Sequence, residues 1–418
     1  MIMAKGRWQE LSSALVVVGL LVTAVPGVVA GSDGAEWAVL VYVEGAHDLG
    51  ELNDTYRQYL DRVAFNGEVT GAVQLVEWVG SASKEIRARR YLYNQAGRRS
   101  EVVCLAGRSS SARLANLIKW GMSQTAAEHY ALVVAGHGQV GPVLPGAKLG
   151  AARSDTGGVG VPFSARQLHE GLTQGLSGAR VGKIDAVFLD CCFGVTWEVA
   201  VGLRPVADYL VGSPGFMYSG GLPWDKILSW LVAHPEASPH ALARWAVQAT
   251  RSSWLQKRGL AITLTALDLS KVAAILQRME SWTAAAERHM AAVAPELTLA
   301  RSRAETWGPE GELVDIGGFM TALSRTSNCV VVAQQARQVA QCVEQAVVAS
   351  YLQEPLGPSK IRAQGLAVFF PLEVERWPEI YRWRGREGSL AHWKSFLRSY
   401  LNALQGAVVQ QTNSGMPG

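Results

Sequence analysis

The chain has 418 residues, 49% hydrophobic and 18% charged, with a net charge of +4. That is ample apolar material for a sizeable core, and the length allows one large domain or roughly two to three small ones. Basic residues gather only briefly, at Arg87, Arg89 and Arg90 and at Arg98 and Arg99. No concentrated basic face is available to track a nucleic-acid backbone, so nucleic acid is not an expected partner.

The first thirty residues stand apart. Lys5 and Arg7 precede an apolar run from Ala14 to Ala30, and Val28-Val29-Ala30 offers a cut after Ala30. This is the layout of a secretory signal peptide. The same run lies at the lower limit for spanning a bilayer, so an uncleaved N-terminal anchor is the alternative, and only then is a membrane a partner. Either form is exported, whether secreted, periplasmic or in the cell envelope. The expected organisation is 1–30 signal peptide or anchor, 31–405 one extended domain, and 406–418 a disordered tail, polar with Gly and Pro from Gln410 onward. The five cysteines are an odd number, which leaves at least one thiol unpaired, and no CxxC or Cys/His spacing suggests zinc.

In chain order, Trp37–Val43 reads as a buried strand, Leu49–Phe65 as a helix and Val73–Val79 as a second strand. Arg89–Tyr93 and Glu101–Leu105 form an expected hairpin, followed by a serine-capped helix over Ser109–Gln124. The apolar strand Tyr130–Ala135 runs into Gly136-His137-Gly138, and a Gly-rich segment, Gln139–Val161, precedes a helix near Ser164–Leu176. Lys183–Leu189 is the next buried strand and runs into Asp190-Cys191-Cys192-Phe193-Gly194. A helix begins near Val195, and Tyr209–Gly212 is a further short strand. Helical stretches follow near Pro239–Gln256, Ser270–Val293 and Asn328–Leu352, interrupted by strand-like Ala261–Leu267 and Gly365–Phe370. Strands without alternating polarity, interleaved with helices, predict a largely parallel sheet covered on both faces.

In such a sheet, ligands bind beyond the carboxyl ends of the strands. Two strands deliver reactive residues there: one brings His137 between glycines, the other Asp190 and the cysteine pair. If those strands are neighbours, an imidazole and a thiol share one crevice, as thiol catalysis requires. Gly138 would let a substrate carbonyl approach a backbone N–H and help form an oxyanion hole. Each residue alone has a duller reading: a structural histidine, an inert core cysteine, a helix-capping carboxylate. Together, with His137 55 positions before Cys192, they resemble the caspase arrangement of a His followed by a Q-A-C-x-G motif, with Asp190 in place of the Gln.

A closer resemblance, spread over most of the chain, is to the clostripain family of cysteine peptidases. It rests on Trp37–Val43 followed by His47-Asp48-Leu49, on Ala135-Gly136-His137-Gly138, and on Asp190-Cys191-Cys192-Phe193 followed by Trp197-Glu198-Val199-Ala200. Tyr209–Ser213 with Gly220-Gly221-Leu222-Pro223-Trp224, Leu313–Phe319 and Gly365–Pro371 extend it in order. The resemblance implies a caspase-like α/β/α sandwich with a mostly parallel central sheet and helical C-terminal additions. It further implies Cys192 as nucleophile, His137 as general base and acid, and the N–H groups of Gly138 and Cys192 as oxyanion hole. Asp190 would select Arg, then Lys, before the cut, and Ser213 would be a second substrate-binding residue. Some members cut themselves after a basic residue between the two motifs, where Lys148 and Arg153 lie here. Some depend on calcium, although no cofactor is required by this sequence and no acidic ligand cluster is evident in it.

The departures are Cys191 in place of a small residue, Gln139-Val140-Gly141 after the His-Gly block, and no polar stretch over Ser213–Gly221. A catalytically inactive secreted binding module on the same fold is the first alternative reading. A different thiol enzyme, such as an acyltransferase or amidase, is the second.

Overall fold

Long Val- and Leu-rich runs need cover on both sides, and the chain supplies it by alternating strand and helix. The computed structural model describes residues 34–45, 49–79, 85–105, 108–138, 163–218, 220–254, 263–352, 360–372 and 387–414. The order begins β1 (Ala35–Glu44), α1 (Gly50–Asp61), β2 (Val69–Val79), β3 (Glu85–Asn94) and β4 (Gly97–Cys104). It continues α2 (Ser110–Gln124), β5 (Ala127–Ala135), α3 (Ala165–Leu176), β6 (Ile184–Asp190), α4 (Trp197–Leu203) and β7 (Ala207–Gly212). Then come α5 (Trp224–Ala233), α6 (Pro239–Trp254), β8 (Leu264–Asp268), α7 (Val272–Arg288), α8 (Met290–Arg303) and β9 (Thr306–Trp307). The last elements are β10 (Leu313–Asp315), α9 (Ile316–Thr326), α10 (Val330–Ala346), β11 (Val347–Tyr351), β12 (Ala367–Phe369) and α11 (Glu387–Ser414).

Among the described residues, nine strands form one sheet in the order β11-β8-β7-β6-β5-β1-β2-β3-β4. The central β2, β1, β5, β6 and β7 are mutually parallel, and antiparallel strands flank them at both ends. Period-two alternation splits β1 between two cores. Ala38, Leu40 and Tyr42 join one, with Leu114 of α2, Leu168 of α3 and Trp282 of α7. Trp37, Val39, Val41 and Val43 join the other, with Tyr56 of α1, Ile227 of α5 and Leu242 of α6. A small antiparallel sheet, β12-β10-β9, is joined to the turn before α4 by a bridge between Thr196 and Ala367.

Several expectations shift. The helix expected near Val195 begins at Trp197, with the Thr196 side chain accepting from the Val199 N–H at 3.4 Å, so Asp190 does not cap it. The stretch Ser270–Val293 is two helices divided at His289, which lets α7 pack on α10 while α8 packs on α9. The stretch Asn328–Leu352 stops being helical at Ala346, where Val347–Tyr351 pairs with β8 as an edge strand. That change fits the β-branched Val347-Val348 pair. The tail expected to be disordered from 406 is helical as far as Ser414, because no Gly or Pro interrupts the run between Gly406 and Gly415. Residues 1–30, His47, Asp48, Lys148 and Arg153 lie outside the described residues. Among the described residues no helix is long and apolar enough to cross a membrane.

Candidate active site

β5 and β6 are adjacent and parallel, with Ala135 level with Asp190. His137 and Cys192 each lie two residues beyond that level, so the sheet delivers both to the same edge. The two turns are pressed together. A Cβ on Gly138 would stand 1.9 Å from the Cys192 carbonyl oxygen and 2.4 Å from its nitrogen, so no side chain fits at 138. Beside them, at the end of β1, Glu44 pairs with the buried Arg113 of α2 at 3.4 Å and accepts a short hydrogen bond from the Tyr42 hydroxyl.

The chain turns sharply after the thiols. Phe193 adopts φ +57°, a left-handed conformation that a non-glycine residue enters at a cost of about 1–2 kcal/mol. Its N–H donates to the Gly215 carbonyl at 2.8 Å, which binds the turn to the segment following β7. The same segment reaches the nucleophile position: the Met217 N–H donates to Cys192 Sγ at 3.2 Å. Burial pushes the Cys192 thiol above its ordinary value, and the Met217 N–H partly opposes that. Cys191 differs. It is 4% exposed, packed in the apolar core, and burial pushes its thiol well up. All five cysteines are unpaired, so the neighbouring thiols are not joined.

Asp190 is 5% exposed. Its Oδ2 accepts from the Tyr56 hydroxyl of α1, from the Leu222 N–H at 2.9 Å and from Trp224 Nε1 at 2.9 Å. Its Oδ1 is buried without a partner. Burial raises the carboxyl above the usual range, and the three donors pull it back down. A buried carboxylate with one oxygen saturated and the other empty can accept one further cationic donor. Ser213 is fully buried. Its hydroxyl donates to the Phe216 carbonyl at 3.3 Å and accepts from the Gly215 N–H at 3.1 Å, so it braces the segment from within instead of meeting solvent.

Thus the structure brings His137, Gly138, Asp190 and Cys192 to one sheet edge and sets Ser213 behind it. Sequence reasoning missed Tyr56, Met217 and the buried Glu44–Arg113 pair, none of which sits in a recognisable motif. Trp224 stood in a quoted segment without an assigned role. Among the described residues no three His, Cys, Asp or Glu side chains converge on a metal position.

The sequence profile of the clostripain family, peptidase family C11, matches residues 101–397. A secreted C11 cysteine protease from Bacteroides thetaiotaomicron, solved with an irreversible peptide inhibitor, is similar in fold, with a TM-score of 0.59 at 16% identity. The similarity covers 86% of this chain and 99% of that one. An inactive zymogen C11 protease from Parabacteroides distasonis gives a TM-score of 0.61 at 17% identity, covering 87% of this chain and 99% of that one. No curated protein matches the chain in sequence.

Proposed function

We propose, from the premise that this chain belongs to the clostripain family and is a cysteine peptidase, that it is an endopeptidase cutting after Arg, and less well after Lys, with His137 and Cys192 as its dyad. The observation that supports the dyad most strongly is the apposition of Gly138 on Cys192 at the level ends of β5 and β6. In this reading His137 takes the Cys192 proton as Sγ attacks the scissile carbonyl. The N–H groups of Gly138 and Cys192 hold the oxyanion that forms. The tetrahedral species collapses as His137 returns the proton to the departing amine, leaving a thioester. Water, deprotonated by His137, then attacks that thioester, freeing the new carboxylate and restoring the thiol.

Cys192 is preferred to Cys191 because the residue is only partly buried at the turn, whereas Cys191 is buried in the core. Basic specificity is supported by the empty Oδ1 of Asp190, two residues before the nucleophile. Arg should exceed Lys when both guanidinium N–H groups can engage. Self-processing at Lys148 or Arg153 follows if either side chain reaches that site. Export is supported by the basic start and the Ala14–Ala30 run.

The test is hydrolysis of Arg-, Lys- and Asp-ending reporter peptides by the wild type and by Cys192→Ala, Cys191→Ala and His137→Ala. The expected result is cleavage after Arg and Lys, abolished in the Cys192 and His137 variants and largely kept in the Cys191 variant. Loss in Cys191→Ala with retention in Cys192→Ala would reverse the assignment. Failure of the wild type on every peptide would leave a binding module on a peptidase fold.

A further inference from the structure

We infer that Phe216, packed on Phe193, forms an apolar subsite for a hydrophobic side chain on the substrate residue next to the Arg; this rests on the peptidase reading above. The inference starts from an exposure that packing does not explain. Ser213, Pro214 and Gly215 are buried, yet the Phe216 side chain that follows them is 56% exposed. Exposed rings are common on protein surfaces, but this one is held in place and sits at the nucleophile.

Three features hold it. Its ring packs edge-to-face on Phe193, the residue after Cys192, with centroids 4.9 Å apart and planes at 61°. The Ser213 hydroxyl donates to the Phe216 carbonyl, and the Phe193 N–H fixes Gly215 just before it. Trp307, from β9, lies against the residue before it, so that a Cβ on Gly215 would stand 2.6 Å from its Cδ1. The Phe216 ring and the backbone leading to it are thus held from three separate parts of the chain: the nucleophile turn, the segment after β7 and the small sheet.

Position decides the occupant. The next residue, Met217, donates its N–H to Cys192 Sγ. Phe216 is one Cα step, about 3.8 Å, along the chain from that contact. The side chain that can cover it therefore belongs to a substrate residue next to the one whose carbonyl is attacked. Phe193, Phe216 and Trp307 carry no charge, so an apolar side chain gains by covering the ring, whereas a charged one would lose hydration there. A rigid aromatic platform also loses little conformational freedom on binding.

The experiment uses Arg-ending reporter peptides that carry Leu, Phe, Ser or Asp either just before the Arg or just after the cut. The wild type should favour Leu or Phe over Ser by about tenfold in kcat/KM at one of the two positions, the scale of a modest apolar pocket. In Phe216→Ser the Leu-to-Ser ratio at that position should fall to near one, and Phe216→Leu should restore most of it. A wild type indifferent at both positions, a ratio that survives in Phe216→Ser, or equal losses on all peptides would each overturn the subsite. A wild type that cleaves none of the peptides contradicts the parent reading, and this one with it.

Discussion

Replacing Asp190 by asparagine separates charge recognition from architecture better than replacing it by alanine. The Oδ2 side of the carboxylate anchors Tyr56, Leu222 and Trp224, which tie α1 and the start of α5 to the nucleophile strand. Alanine would orphan the Leu222 N–H and the Tyr56 hydroxyl proton, at about 1–3 kcal/mol each, leaving Trp224 Nε1 only its 2.9 Å bond to the Tyr56 oxygen, and would confuse a folding defect with lost specificity. Asparagine can turn its carbonyl oxygen toward those donors, and it then presents an NH2 group where Oδ1 stood. A guanidinium meeting that NH2 finds a donor in place of an acceptor and no compensating charge. Breaking a largely desolvated charge pair costs about 3–5 kcal/mol. At 1.36 kcal/mol per tenfold, kcat/KM on Arg peptides should fall by roughly two to three and a half orders of magnitude. The assay is kcat/KM on matched peptides ending in Arg, Lys or Gln, alongside a thermal melt of each protein. The reasoning requires a large loss on Arg, a small change on Gln and a Tm near the wild type. Equal losses on Arg and Gln peptides, with Tm unchanged, would refute the role of Asp190 in recognition and leave the dyad in place.

Tyr56→Phe removes one of the bonds that hold the Asp190 carboxyl down against burial. The acidic limb of kcat/KM on Arg peptides should therefore move to higher pH, and an unmoved limb would deny the coupling. Gly138→Ala forces the turn away from Cys192, and a displacement near 1 Å costs on the order of a hundredfold in rate; single-turnover hydrolysis at wild-type Tm checks it. Burial raises the Cys192 thiol above its ordinary value, which favours its protonated form. Its alkylation by iodoacetamide should rise at higher pH than that of free cysteine, whereas a rise at lower pH than free cysteine would mean a preformed thiolate. Wild-type protein stored alone should nick after Lys148 or Arg153 while Cys192→Ala stays intact, and the same cut in both by mass spectrometry would point to a contaminating protease.

The strands were legible because both faces of the sheet are dry. Tyr130–Ala135 and Lys183–Leu189 contain no alternating polarity, and each ends in a glycine-flanked or acidic reactive residue. What stayed hidden depends on contacts distant in sequence. Nothing near Tyr56 announces a bond to a carboxylate 134 positions away, and nothing near Met217 announces the thiol 25 positions before it. The boundary at Ala346 was missed for a different reason. Helical periodicity continues locally into Val347-Val348, and an open edge on β8 decides the outcome. Of the two readings of Asp190, the helix cap falls to Thr196, and the buried network that holds its Oδ2 could not be read from the sequence.

The central claim is that one thiol, Cys192, is the nucleophile and that His137 activates it. The most direct measurement is covalent labelling with a peptidyl chloromethyl ketone ending in Arg, followed by digestion and mass spectrometry of the modified peptide. The account predicts one label per chain, on Cys192, formed rapidly in the wild type and in Cys191→Ala and strongly slowed in His137→Ala. Label on Cys191, or equal labelling of Cys104, Cys329 and Cys342 in wild type and His137→Ala alike, would contradict it.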